Sequence, residues 1–274
     1  MKMPQTVCRE DHNTMEHNKI IDFHVHPRYD FHLANHGVDI TDDRFRDDLQ
    51  ANGISAVCGS VVYAYIQGKE RSSYGSVIID ANRTALSCRE RWGEFYYPGI
   101  HVHPDFVQLS CEEIAWARAN GITLIGELVP YMMGWQSYSS TEMLEILSYA
   151  AELDMIVSMH PTNPQDMKAL AAALPHLKLV FAHLGGYGQY EHHLALMRKY
   201  ENVYFDYSAH GSDFDGILRK TINLVGREKI LFGTDYPGVN PASDIAAVLY
   251  EDLTSDEIEC VFYKNAEHLL QIHI

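Results

Sequence analysis

The sequence predicts a single-domain (β/α)8 TIM barrel, distorted in detail, over residues 19–274, with a polar tail over 1–18 ahead of it. Three observations predict this fold. The 274 residues suit one barrel, which needs about 250. Apolar runs of strand length alternate along the chain with helical patterns, the order of a parallel α/β sheet. Polar residues gather where the apolar runs stop, the end that a barrel turns toward one rim. A composition of 46% hydrophobic and 21% charged residues is enough for a large core and argues against disorder.

The strand candidates, in order, are 20–25, 54–62, 95–100, 122–126, 155–159, 179–182, 203–206 and 230–234. Eight is the number that closes such a barrel. Helical patterns separate them. Residues 110–120 carry Ile114, Ala115 and Ala119 and run into Gly121, a residue suited to ending a helix. Residues 141–153 start at a Ser140 or Thr141 cap and space Leu144, Leu147 and Ala151 helically. The theme repeats at 190–200 and 214–225. Residues 254–270 read as a final amphipathic helix, with Thr254 and Glu257 as a capping box. Residues 64–75 read as an extended loop, suited to a lid, a substrate contact or plain surface. No Gly-rich phosphate fingerprint follows the first strand, which removes support for a dinucleotide-binding doubly wound sheet.

Charge and composition exclude several function classes. The formal net charge is -16 and no Lys/Arg cluster is present, so a nucleic-acid ligand is disfavoured. No run of about 18 apolar residues occurs, so no membrane span or membrane partner is expected. The first residues lack the apolar stretch of a secretory signal. The five cysteines, Cys8, Cys58, Cys88, Cys111 and Cys260, form no C-x-x-C pair, which fits a reducing cytoplasm.

The chemistry sits at the strand ends. In the first run Asp22, His24 and His26 alternate with Phe23 and Val25, which puts the polar trio on one face. Later runs stop at Glu127, His160, His183 and Asp235, and Pro130, Pro161, Gly185–Gly186 and Pro237 follow closely. Burying such groups is costly unless they are paired or hold a metal. Three imidazoles and a carboxylate, His24, His26, His160 and Asp235, suit zinc or another first-row divalent ion, manganese among them. With one position open, the ion would bind water and lower its pKa to about 7. Glu127 stays open between bridging a second metal, orienting a histidine and capping the interior. His183 reads as a functional group that need not be a ligand. Asp22 reads as support for a histidine. His101 and His103 share a face but read as loop histidines beside Pro104. Arg28, two residues after His26, is a candidate bidentate donor to a substrate carboxylate, although a solvent-facing arginine is the commoner outcome.

These pieces carry a family resemblance. DFHVH at 22–26, SMHP at 158–161, FAHLGG at 181–186, LFGTDYP at 231–237 and KNAEHLL at 264–270 resemble the amidohydrolase superfamily, in its aminocarboxymuconate-semialdehyde-decarboxylase-like branch. The resemblance covers nearly everything from residue 19 onward. It implies a distorted TIM barrel, metal ligation by His24, His26, His160 and Asp235, an acid/base role for His183, and a homodimer. GEL at 126–128 is similar to superfamily branches in which a glutamate bridges two metals, so one ion and two stay open. The leading expectation is a metal-dependent hydrolase of a small amide, lactone or ester, acting through metal-activated water with Asp235 and His183 as catalytic groups. The alternative is non-oxidative decarboxylation of an aromatic or unsaturated carboxylic acid on the same centre. A TatD-like phosphodiesterase is more distant, because the acidic charge opposes it. A non-catalytic metal-binding barrel would need a shell closed entirely by protein.

Overall fold

The computed structural model describes residues 19–28, 40–62, 70–185, 187–209 and 214–274. The tail expected over 1–18 and residues 64–69 of the expected loop lie outside the described residues. Among the described residues, eight parallel strands run in chain order around one sheet. They are β1 (Ile21–Asp22), β2 (Ala56–Ser60), β3 (Tyr96–Ile100), β4 (Leu124–Leu128), β5 (Ile156–Met159), β6 (Lys178–Phe181), β7 (Val203–Tyr207) and β8 (Ile230–Phe232). Each lies within three residues of its expected bounds. β8 returns to β1 through one bridge, Val25 to Tyr236, and through backbone bonds from Phe23 N to Phe232 O and Asp235 N to His24 O, both 2.8 Å. The sheet is therefore a closed barrel, the fold that the sequence predicts.

Helices pack outside it: α1 (Asp42–Ala51), α2 (Tyr74–Trp92), α3 (Val107–Ala119), the short α4 (Pro130–Met133), α5 (Thr141–Glu152), α6 (Pro164–Ala173), α7 (Tyr187–Lys199), α8 (Ile217–Val225) and α9 (Pro241–Tyr250). The chain ends in α10 (Ser255–Glu259), a π turn at Cys260–Lys264 and α11 (Asn265–Leu270). The Ser140 cap accepts from Met143 N, and the Thr254–Glu257 capping box forms. The final helix expected over 254–270 is thus present, widened by a π turn midway. Part of the loop expected over 64–75 is helical instead, since a short 3-10 turn at Arg71–Ser73 leads into α2.

Two apolar layers follow from strand alternation. The larger holds Val57, Ile100, Ile125, Val157, Phe181, Phe205 and Phe232 against the helices. The smaller holds Ile21, Phe23, Ala56, Cys58, Leu124, Ile156, Val180 and Leu231 inside the barrel, where Ala266, Leu269 and Leu270 of α11 pack against it. The core below the rim is filled with side chains, so polar groups collect at the carboxyl ends of the strands. One expectation is corrected here. Phe23 joins Ile21 in the interior while Val25 joins Ile20 in the outer layer. Asp22 turns to β8, accepting from Thr234 N at 3.1 Å and Thr234 Oγ1 at 2.6 Å. The polar trio does not share one face, because regular pairing of β1 stops at Asp22. No helix among the described residues is long and apolar enough to cross a membrane.

Candidate metal centre

His24 and His26 follow β1, and both rings are fixed from behind. His24 Nδ1 lies 3.1 Å from Asp206 Oδ2 of β7, and His26 Nδ1 lies 3.1 Å from the Ser60 carbonyl. Each outer partner is an acceptor, so each ring carries its proton on Nδ1 and turns an Nε2 lone pair inward. The two Nε2 atoms are 3.2 Å apart. Two lone pairs at that distance repel unless a positive charge lies between them or beside them.

Carboxylates complete the cluster. Glu127 Oε2 lies 3.3 Å from His24 Nε2 and 3.4 Å from His26 Nε2. Asp235 Oδ1 lies 3.3 Å from His26 Nε2 and 3.7 Å from His24 Nε2. Glu127 Oε1 faces the other way, 3.3 Å from His160 Nδ1 and 3.9 Å from His183 Nε2. It is buried without a well-formed hydrogen bond among the described residues. The pairing of β4 with β5 shifts register between Ile125 and Leu128, and this irregularity brings Glu127 to the interior. Gly126 allows it: its φ is +89°, and a Cβ there would stand 2.1 Å from the Ser158 carbonyl.

His183 and Asp235 adopt left-handed φ values of 62° and 60°, uncommon for residues with a side chain. His183 Nδ1 lies 3.1 Å from Ser208 Oγ. Ser208 in turn donates to Asp206 Oδ1. The fully buried Asp206 therefore backs both His24 and, through Ser208, His183. On the far side, Tyr138 OH donates to the carbonyls of Leu128 at 2.9 Å and His160 at 3.1 Å. Asp166 of α6 accepts from Ser137 Oγ at 2.6 Å, Tyr138 N at 2.9 Å and Ser139 N at 2.8 Å, which holds Tyr138 in place.

The titration of the cluster shows what it lacks. Burial lowers the His24 pKa, but the carboxylates of Asp206 and Glu127 overcome this and raise it well above the ordinary value. Burial opposes charge on His26 too, and Asp235 and Glu127 raise its pKa to about 9. Burial raises the Glu127 pKa, yet His24 and His160 hold it well below the ordinary value. Burial and the His24 charge lower the His183 pKa. Without another cation, the site draws protons onto its histidines. A divalent ion answers the same demand, and histidine with carboxylate is a donor set for zinc, manganese or iron. Compact donor groups, with all ligand atoms within 4.8 Å of one another, are His24–His26–Asp235 and His24–Glu127–His183. The residues present fit a divalent cation.

Six sequence candidates, His24, His26, Glu127, His160, His183 and Asp235, thus meet at one rim, with His160 joined through Glu127. Arg28 does not join them. Its guanidinium pairs with Asp42 at the start of α1 and is about half exposed. Asp22 supports the backbone, accepting from His24 N at 3.1 Å. Asp206 and Ser208 were not among the candidates. The only signal for them is that β7 puts Asp206 and Ser208 two apart on the interior face, continuing the alternation of the strand.

A family model described as "Amidohydrolase" matches residues 21–272. No curated relative matches the sequence. Solved structures share the fold. The 5-carboxyvanillate decarboxylase of Sphingomonas paucimobilis is 15% identical with a TM-score of 0.67, covering 86% of this chain and 84% of that one. The 2,6-dihydroxybenzoate decarboxylase from Rhizobium is 14% identical with a TM-score of 0.70, covering 93% and 98%. The dihydroxybenzoic acid decarboxylase from Polaromonas sp. JS666, with bound manganese and the inhibitor 2-nitroresorcinol, is 15% identical with a TM-score of 0.70, covering 93% and 97%.

Proposed function

Because this chain belongs to the amidohydrolase family, we propose that it is a metal-dependent, non-oxidative decarboxylase of a small aromatic carboxylic acid. The sequence alone ranked hydrolysis first. That order is reversed here because similar solved structures spanning nearly the whole chain are decarboxylases of hydroxylated aromatic acids. The observation in this chain that carries the reading is His183. It stands at the rim beside the carboxylates, with Nε2 3.9 Å from Glu127 Oε1 and Nδ1 tied to Ser208 and, through it, to Asp206.

His24, His26 and Asp235 would hold the cation, with Glu127 and His160 as further donors. When bound, the cation supplies positive charge that anchors substrate oxygens and draws electron density from the breaking bond. The protein does the rest. The bond from ring carbon to carboxylate breaks, its electron pair stays on the ring carbon, and CO2 leaves. His183 Nε2 gives its proton to that carbon. Burial disfavours the charged form of His183 that this transfer needs, and Asp206, behind Ser208, works against that burial; a solvent proton restores Nε2 afterwards. Burial of His24, His26, Glu127 and His183 excludes bulk water from the reacting face.

The test is turnover of a panel of hydroxybenzoates by protein loaded with manganese or zinc, run in D2O. The expected result is one deuterium at the carbon that carried the carboxylate, with CO2 released. An unchanged panel, together with 18O uptake into the product of an ester, lactone or amide, would overturn it. That second reading, hydrolysis, is favoured by one observation. Glu127 puts one oxygen on His24 and His26 and the other toward His160 and His183, an arrangement suited to two cations. About two metal equivalents per chain would move the balance toward hydrolysis, and about one toward decarboxylation.

A further inference from the structure

His101 is a buried histidine that the centre leaves unused. Strand β3 turns Tyr97 to the interior layer, and a Cβ on Gly99 would collide with the Gly126 carbonyl of β4. His101, two residues further, continues that interior face at the carboxyl end of the strand. It is 6% exposed and stands close enough to His26 and Glu127 for their charges to act on it.

Its setting is pinned at three points. Asn82 of α2 accepts from His101 N at 2.7 Å and donates to His101 O at 3.1 Å. Asn82 is itself held by Glu113 at 2.9 Å, and Arg83 grips the same carboxylate at 2.8 Å. On the ring, Nε2 lies 2.7 Å from the Val61 carbonyl. A carbonyl only accepts, so the proton is on Nε2 and Nδ1 carries a lone pair. Nδ1 is buried and has no hydrogen-bond partner among the described residues. A held, buried acceptor with nothing to accept from is costly unless a ligand supplies the donor.

We propose that His101 is a specificity-determining residue whose Nδ1 accepts a hydrogen bond from a hydroxyl group of the substrate, so that the site selects hydroxylated acids over unsubstituted ones. This rests on the decarboxylase reading above. Burial lowers the His101 pKa to about 4, so the acceptor lone pair persists through neutral pH. A site built to bond a substrate hydroxyl rejects the analogue lacking it, because the buried partner is then left alone. Arg28, by contrast, is turned toward Asp42, so the hydroxyl is the handle read at this wall.

The test is calorimetric binding of 2-hydroxybenzoate, benzoate and 2-methoxybenzoate to the metal-loaded protein and to two variants. His101→Gln keeps a donor for the Val61 carbonyl and removes the Nδ1 acceptor. His101→Asn keeps an acceptor near the Nδ1 position. The wild type is expected to bind 2-hydroxybenzoate at least tenfold tighter than either analogue. His101→Gln is expected to lose that preference with benzoate affinity within about twofold, and His101→Asn to keep most of it. An unchanged preference in His101→Gln overturns the inference while leaving the decarboxylase reading intact. Equal wild-type affinity for 2-hydroxybenzoate and 2-methoxybenzoate also overturns it, whether or not the variants fold. Absence of binding by all three acids, with no CO2 from the hydroxybenzoate panel, overturns both.

Discussion

Asp206 forms an ion pair with His24, and it organises the centre. One oxygen takes His24 Nδ1 and the other takes Ser208, which reaches His183. Asp206→Asn keeps the shape but offers His24 an uncharged, flippable group. Metal affinity is expected to fall about 10–100-fold, read by competition with a chelator, and unchanged affinity would remove the role. Gly233 acts by its smallness. A Cβ there would stand 2.7 Å from His24 Cβ and 3.3 Å from Asp206 Oδ1. Gly233→Ala is expected to cost metal affinity by pressing on His24 and Asp206 while leaving every proposed ligand in the sequence, with secondary structure retained by circular dichroism. At this scale the sequence was legible where a polar residue ends an apolar run, as at Glu127, His160, His183 and Asp235. It was illegible at Asp206 and His101. Asp206 ends the expected run 203–206 but has no Gly or Pro within three residues after it, so it looks like any strand residue until the interior face is known, and His101 looks like a loop residue because of Pro104.

Elements set how firmly those side chains are held. The connections after β4 and β5 are joined by Asp166, which gathers donors from Ser137, Tyr138, Ser139 and Thr162. Hydrogen bonds to a charged group are stronger than neutral ones, so Asp166→Ala is expected to destabilise the fold by on the order of 3 kcal/mol. It should also loosen Tyr138 from the His160 carbonyl, and urea unfolding alongside metal affinity would read both effects. The Ser140 cap is a smaller contribution, and Ser140→Ala is expected to cost about 1 kcal/mol. Helix starts with side-chain caps were legible for this reason, since the cap is a local device. β1 was not. Its apolar and polar alternation reads as a six-residue strand, but closure against β8 takes Phe23 and Asp22 to opposite partners, a tertiary demand that a local pattern does not carry. α2 was obscured in the same way: Gly75 and β-branched residues weaken its helical pattern, and packing against β3 supplies what propensity lacks.

The barrel as a whole was legible because the alternation of strands and helices is repeated eight times, so errors at single boundaries do not change the count. Its stability carries a pH signature. Burial lowers the pKa of His101 and of His193 to about 4, against about 6.5 when unfolded. The folded state therefore binds fewer protons than the unfolded state between those values. Stability from the neutral histidines is full above about pH 6.5 and is lost as pH falls toward 4. The ceiling is on the order of 3 kcal/mol for each histidine. Between about pH 6.5 and 4.5 the urea midpoints of His193→Gln should fall less steeply than those of the unsubstituted protein, by about one proton. An identical slope would exclude His193 as a contributor.

The closing seam between β8 and β1 has one isolated bridge, and the proposed donors straddle it: His24 and His26 on one side, Asp235 on the other. An ion held by both sides would be a rivet across the joint, its binding energy added to the cost of parting the two strands. Hydrogen exchange at the amides of Phe23, His26 and Asp235 should slow when manganese or zinc is added, more than at the β5–β6 ladder opposite. Loading the ion would then change how the ring breathes, so that the same event readies the site and locks the barrel shut.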